Sequence, residues 1–166
     1  MSSNEAKRLT QQLLPNDRWQ HKEEVFTTQR PNIILIILES FSSNALDAMP
    51  NLMRLVQEGI YFSNAYSSSY RTDRGIVSLL SAYPGQPTSS LMTVPSKSRN
   101  LPQIGKALKQ EGYLLNFYYG GDEDFTNMRS YLIDGGFENR VADKDFPLQD
   151  RMSKWGAHDH IVLERA

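Results

Sequence analysis

The chain has 166 residues, 18 Lys and Arg against 19 Asp and Glu, and no cysteine. That length suits one ordinary domain, with 39% hydrophobic residues to form its core, and disorder is excluded as the general state. A formal net charge of -1 argues against a nucleic-acid binder, and zero cysteine excludes disulfides, thiolate metal sites and a cysteine nucleophile.

Residues 1–30 read as a poorly patterned lead-in. Met1 to Leu14 lacks the apolar core of a signal peptide. Ala6 to Leu14 is a short helix candidate ended by Pro15-Asn16-Asp17, and Trp19 to Arg30 is polar with scattered aromatics. Order is expected from Pro31. Ile33 to Leu38 is a continuous aliphatic run, which reads as a strand covered on both faces and is far short of the roughly 20 residues of a membrane span.

Met49-Pro50-Asn51 opens a helix with Leu52, Leu55 and Val56 on one face and Gly59 at its end. Ile60 to Ala65 is a second, shorter strand candidate. After Thr72 a helix places Ile76, Leu79 and Leu80 on one face and stops at Tyr83-Pro84-Gly85. Gln86 to Asn100 has the Pro, Ser and Thr content of a loop. A helix from Leu101-Pro102 turns Ile104 and Leu108 inward and stops at Gly112. Tyr113 to Tyr119 is a strand, followed by a turn at Gly120-Gly121-Asp122. Phe125 to Asp134 is a helix with Met128, Tyr131 and Leu132 inward, and Glu138 to Val141 is a short strand. Strands alternating with helices imply an α/β fold, with a mostly parallel sheet and helices on both faces, whose chemistry sits at the carboxyl ends of the strands.

Two places carry candidate chemistry. Glu39 directly follows the aliphatic run, where a carboxylate at a sheet edge can serve a divalent cation or can simply face water at a turn. Thr72 lies between Arg71 and Arg74 at a helix start. An N-cap threonine is ordinary there, but flanking arginines and a helix N-terminus also suit a hydroxyl that attacks phosphorus or sulfur. Asp122 and Asp124 read as turn residues.

Pro31-Asn32-Ile33 through Leu38-Glu39-Ser40, then Met49-Pro50-Asn51-Leu52, Glu58-Gly59-Ile60-Tyr61-Phe62-Ser63-Asn64-Ala65-Tyr66 and Arg71-Thr72-Asp73-Arg74-Gly75 follow one another in order. So do Gly112-Tyr113, Tyr118-Tyr119-Gly120-Gly121-Asp122, Phe125 to Met128 and Lys154-Trp155-Gly156. Together these segments resemble the amino-terminal half of the sulfatase domain of the alkaline phosphatase superfamily. Within it they are most similar to lipoteichoic acid synthase-like phosphoglycerol transferases.

The resemblance implies that Glu39 is the first metal-binding carboxylate and that Thr72 is both nucleophile and metal ligand. It implies one divalent metal, manganese first, with zinc, calcium or magnesium as alternatives. True sulfatases mature a cysteine or serine to formylglycine, so threonine at this position favours phosphoryl transfer. Arg71 or Arg74 would hold phosphate oxygens. Trp155 resembles a residue of the head-group pocket, against the simpler reading of a partly buried surface aromatic, and His158 stands beside it. The expected function is transfer of phosphoglycerol or a similar head group from a lipid donor. The alternatives are a sulfatase or phosphodiesterase-type hydrolase, and a non-catalytic α/β binding module.

Asp159-His160 has the letters of the family's later metal pair but follows no apolar strand, so the remaining ligands are expected beyond Ala166. The family's relatives are membrane-anchored and work outside the cytoplasmic membrane. The expectation is therefore an incomplete domain over 31–166 after a lead-in over 1–30, a piece of a membrane-anchored extracytoplasmic protein that is inactive alone. A stand-alone remnant is the other reading. Partners would be a lipid-linked or small phosphodiester or sulfate-ester substrate, no nucleic acid, a membrane reached through parts outside this chain, and a second copy through exposed sheet edges.

Overall fold

The structure is a computed structural model that describes residues 2–13 and 26–166. The chain divides into two compact units, 1–37 and 38–166. The turn expected at Pro15-Asn16-Asp17 lies outside the described residues.

In the first unit, helix α1 spans Ser3–Leu13. Ser2 caps it, accepting a 3.3 Å bond from the Glu5 amide, and Glu5 adds a negative charge to the first turn. The aliphatic run departs from expectation. Residues 33–37 form no strand, and their exposure runs from 42% at Ile37 to 86% at Ile34. Among the described residues, none of their amides or carbonyls has a backbone partner. The cause is that β-branching favours an extended chain, but burial on two faces needs neighbouring strands and covering helices.

The second unit opens with Leu38, also exposed, and a turn at Glu39-Ser40. Helix α2 spans Pro50–Glu58, with Pro50 at its first position and the Gly59 amide bonded to Leu55. Residues 60–65 are not a strand: Phe62 accepts a bond from Ala65 across a turn, and Ile60 and Phe62 are exposed. Helix α3, Thr72–Ser81, buries Ile76, Val77 and Leu80 and ends at Ala82 in the left-handed region. Leu79 is half-exposed; Val77 takes the inward place assigned to it.

The segment expected as a loop holds a 3-10 turn at Leu91–Thr93 and helix α4 at Pro95–Ser98. Its serine and proline start these turns: the Ser90 hydroxyl accepts from the Met92 amide at 3.3 Å, and Pro95 opens α4. Helix α5, Ile104–Gln110, turns Gly105 inward and leaves Ile104 half-exposed. A Cβ at Gly105 would stand 2.3 Å from the Gly135 carbonyl, so only glycine fits the contact face and Ile104 is rotated off it.

Strand β1, Asn116–Tyr118, pairs in parallel with β2, Asn139–Val141, in the register Asn116 to Asn139. Helix α6, Met128–Asp134, connects them. A 3-10 turn at Phe125–Asn127 precedes it, with Thr126 and Asn127 both at positive φ, so the expected continuous helix is kinked. Both α5 and α6 end in a glycine at positive φ, Gly112 (82°) and Gly136 (92°). In each case the following residue bonds back to the helix, Tyr113 to Leu108 and Phe137 to Leu132, both at 3.0 Å. Helix α7 spans Asp159–Arg165.

The core gathers Ile76, Val77 and Leu80 of α3, Met92, and Met128, Tyr131 and Leu132 of α6, with Phe117, Tyr119 and Phe137 packed against it. The fold is thus α/β, mainly helical, with a small parallel sheet. Among the described residues no helix is long and apolar enough to cross a membrane.

Candidate active site

Thr72 is the first residue of α3, and the capping position falls to Arg71, whose side chain makes no capping bond. The Arg71 carbonyl instead accepts from Arg74 and Gly75, at 3.2 and 2.8 Å. The Thr72 hydroxyl is therefore not spent as a cap. Its Oγ1 donates to Oε1 of Glu39, bringing together two residues 33 positions apart. Glu39 stands in a turn whose next residue, Ser40, has φ +58°, a conformation costly for a non-glycine residue.

The charges around Thr72 are divided. Asp73 is buried, its carboxylate lies 3.8 Å from Nε of Arg71, and its carbonyl accepts from the Ser90 hydroxyl at 3.3 Å. Arg71 keeps about half of its side chain in solvent. Arg74 is engaged elsewhere: Nη1 donates to the Pro87 carbonyl at 2.5 Å, the guanidinium lies 5.9 Å from the Tyr70 ring centre, and Nε is buried without a partner.

At the carboxyl end of β1 stands Tyr119, whose amide donates to Val141 at 2.9 Å. Burial first, and then the negative charges of Glu39, Asp122 and Asp143, push its phenol above its ordinary value. The next residues form the turn: the Asp122 carboxylate accepts from the Asp124 amide at 2.9 Å, and Gly121 accepts from the Asp143 amide at 3.1 Å. Asp143 keeps Oδ1 buried without a hydrogen-bond partner. Tyr119 and Asp143 escaped sequence reasoning, although Asp143 follows a short strand just as Glu39 follows an aliphatic run.

The Trp155 loop meets the same turn. Ala157 donates to the Gly120 carbonyl at 2.9 Å, and a Cβ on Gly156 (φ +102°) would come within 1.9 Å of that carbonyl. Trp155 is 69% exposed, with Nζ of Lys154 4.9 Å from its ring centre, so the ring is a surface group and not a partly buried one. His158 sits at the N-cap of α7, its ring 6.1 Å from that of His160. Asp159-His160 opens this helix and follows no strand.

The family model for sulfatases matches residues 31–166. This chain belongs to the sulfatase family. It is 30% identical to a phosphoglycerol transferase I of Xanthomonas campestris pv. campestris (strain B100), over 98% of this chain and 26% of that protein. A phosphoglycerol transferase I of Xanthomonas euvesicatoria pv. vesicatoria (strain 85-10) is 29% identical with the same coverage. The chain therefore spans about a quarter of the length of these curated relatives. Its fold matches the crystal structure of a protein in the alkaline phosphatase superfamily from Vibrio parahaemolyticus, with TM-score 0.66 and 28% identity over 74% of this chain and 31% of that one. The lipoteichoic acid synthase LtaP from Listeria monocytogenes shares the fold at TM-score 0.52 and 15% identity, over 58% of this chain and 23% of that one.

Sulfatase-family enzymes are transferases and hydrolases, and the superfamily generally works with divalent metal ions. The donors of this sulfatase-family site fit such an ion in kind. Glu39 and Thr72 offer a carboxylate and a hydroxyl oxygen, hard ligands in contact with each other. They fall short in number: among the described residues no group of three or more His, Cys, Asp or Glu is placed to hold a metal.

Proposed function

We propose that residues 31–166 form the amino-terminal part of a metal-dependent transferase domain, residues 1–30 being a lead-in. In this reading the enzyme moves a phosphoglycerol or similar head group from a lipid donor through Thr72. The observation that carries it is the bond from the Thr72 hydroxyl to the Glu39 carboxylate at the first turn of α3. The names of the curated relatives support the head group. By the same analogy the working location is the cell envelope outside the cytoplasmic membrane.

Glu39 accepts the hydroxyl's hydrogen bond and so fixes which lone pair of Oγ1 faces the substrate. Attack then forms an Oγ1–P bond and breaks the P–O bond to the lipid alcohol, which leaves with a proton. The acceptor's hydroxyl reverses the sequence, freeing Thr72 and taking over the head group. Arg71, half in solvent, meets the developing charge on the phosphate oxygens, helped by the positive end of the α3 dipole. Arg74, held by the Pro87 carbonyl, steadies the neighbouring loop. In this reading Trp155 and His158 bind the head group. A carboxylate alone is too weak a base to strip an alcohol, and a divalent cation held by Glu39 and Thr72 would acidify the hydroxyl.

The test is mass spectrometry of Thr72-containing peptides from a protein extended to the relatives' length, incubated with phosphatidylglycerol and manganese. A glycerophosphate adduct on Thr72 is expected, and Thr72→Ala should abolish both adduct and turnover. Turnover surviving that substitution sinks the nucleophile assignment. Faster cleavage of aryl sulfates than of the lipid would move the reaction to sulfate-ester hydrolysis.

A further inference from the structure

The segment that leads into Thr72 is fastened to the helix it opens. The Ser68 hydroxyl donates to Oγ of Ser78, ten positions later on α3, at 2.5 Å. The Ser78 hydroxyl donates in turn to the Arg74 carbonyl at 2.9 Å. Oγ of Ser69 accepts from the Arg71 amide at 3.3 Å, so the chain bends immediately before Thr72. The loop after α3 closes in from the other side. A Cβ on Gly85 would stand 2.9 Å from the Ser68 carbonyl oxygen and 3.0 Å from Cβ of Ser69, so this contact leaves no room for a side chain. Arg74 joins the same two segments, with its guanidinium 5.9 Å from the Tyr70 ring centre and Nη1 on the Pro87 carbonyl.

Helix formation does not account for Ser78. Serine is a poorer helix former than alanine because its hydroxyl competes for backbone groups, and here it bonds the carbonyl four residues back. What the hydroxyl gains is a hold on Ser68. Helix ends fray, and Thr72 is the first residue of α3, preceded by an Arg71 whose side chain makes no capping bond. A helix start without a side-chain cap is steadied by fixing the chain that enters it. We propose that Ser68 and Ser78 are positioning residues: their hydrogen bond, backed by Gly85, fixes the entry to α3 and so holds the Thr72 hydroxyl on Glu39. The consequence for turnover rests on the reading of Thr72 as the nucleophile; the consequence for the orientation of Thr72 does not.

Ser78→Ala separates positioning from stability. Alanine is the better helix former, so the fold should be retained with Tm within about 3 °C, while the entry to α3 loosens. In the 166-residue chain, three-bond couplings to the Thr72 methyl carbon should report one side-chain rotamer, and rotamer averaging in Ser78→Ala. Ser78→Thr keeps a hydroxyl that reaches the carbonyl four residues back and should restore the single rotamer. Gly85→Ala, which pushes Ser68 from the opposite side, should average it again. In a protein extended to the relatives' length, Ser78→Ala should lower kcat on phosphatidylglycerol roughly tenfold with KM within about twofold, because a misplaced nucleophile costs turnover and not binding. Ser78→Thr should recover most of that loss. Thr72 couplings unchanged in both Ser78→Ala and Gly85→Ala overturn the proposal, whatever the reaction. A kcat loss equal in Ser78→Ala and Ser78→Thr, or one that tracks a matching fall in Tm, gives Ser78 a role in stability alone and overturns it too. Turnover that survives Thr72→Ala removes the nucleophile assignment instead, and the couplings then decide the proposal by themselves.

Discussion

The helix that presents Thr72 is tied to the core at its far end by one buried polar contact. The Ser81 hydroxyl and the Tyr131 phenol lie 2.6 Å apart, with Ser81 4% and Tyr131 0% exposed. Tyr131→Phe removes one oxygen and leaves a buried serine hydroxyl without a partner. That orphan costs about 2 kcal/mol, because the missing bond is not replaced by water. Ser81→Ala orphans the phenol and costs about the same. The double change removes both groups, orphans neither, and should cost about 1 kcal/mol, less than either single change. The coupling is therefore about 3 kcal/mol, at the upper end for residues in contact. Urea denaturation with an unchanged slope reads all three variants, and each single change should lower Tm by roughly 4–8 °C. If the two single costs simply add in the double variant, the hydrogen bond does not hold α3 to α6 and the reasoning fails.

Four further outcomes follow. Arg129 and Lys144, bonded to the Asp124 carboxylate at 2.6 and 2.8 Å, hold it down at about 2. Its contribution to stability is present above the unfolded value near 3.8 and is lost as pH falls through about 2. Carbon-13 titration should find that midpoint, and Lys144→Met should raise it; a wild-type midpoint near 4 contradicts the ion pairs. Burial raises the phenols of Tyr119 and Tyr131, so the neutral forms favour folding and stability should decline as pH climbs above about 10. Thermal melts across that range check the sign, and a rise would refute it. Glu123 is buried between Arg140 at 2.9 Å and Arg129 at 3.2 Å, so Glu123→Gln should cost about 3 kcal/mol in urea melts. A cost below about 1 kcal/mol would show that the cluster is solvated. Gly156→Ala should cost about 2 kcal/mol or more and speed hydrogen exchange at the Ala157 amide, because the added carbon collides with the Gly120 carbonyl. Unchanged exchange would mean that the Trp155 loop does not rest on that turn.

What the sequence disclosed and what it concealed divide along the range of the interactions. Helix ends were legible because their signals are local: Pro50 opens α2, Gly112 and Gly136 close α5 and α6, and each acts within a few residues of itself. The inward residues of α6 were legible for the same reason, since Met128, Tyr131 and Leu132 share one face by helical spacing alone. Leu79 and Ile104 were misread because periodicity marks an apolar face without saying which residue at its rim meets a neighbour. Gly105 takes the contact beside Ile104 only because α6 brings the Gly135 carbonyl there. The two unformed strands show the same limit more strongly. β-branching supplies an extended chain, while a sheet is made by partners that no short window contains.

The candidate site inherits both halves of this division. Thr72 was visible as a helix start and Glu39 as the carboxylate ending an aliphatic run, but Thr72 alone read equally well as a cap and Glu39 alone better as a turn residue facing water. The structure excludes the cap for Thr72, because the capping place belongs to Arg71, and it joins the Thr72 hydroxyl to Glu39 instead. The phenol of Tyr119, raised first by burial and then by the charges of Glu39, Asp122 and Asp143, lies within the field of Glu39. In the proposed reading a divalent ion held by Glu39 and Thr72 would offset the charge of Glu39 that Tyr119 feels. Manganese added to a protein extended to the relatives' length should lower the Tyr119 pKa, a shift that phenolic carbon-13 titration can follow residue by residue. No change at saturating manganese would leave Glu39 and Thr72 a structural hydrogen bond and nothing more.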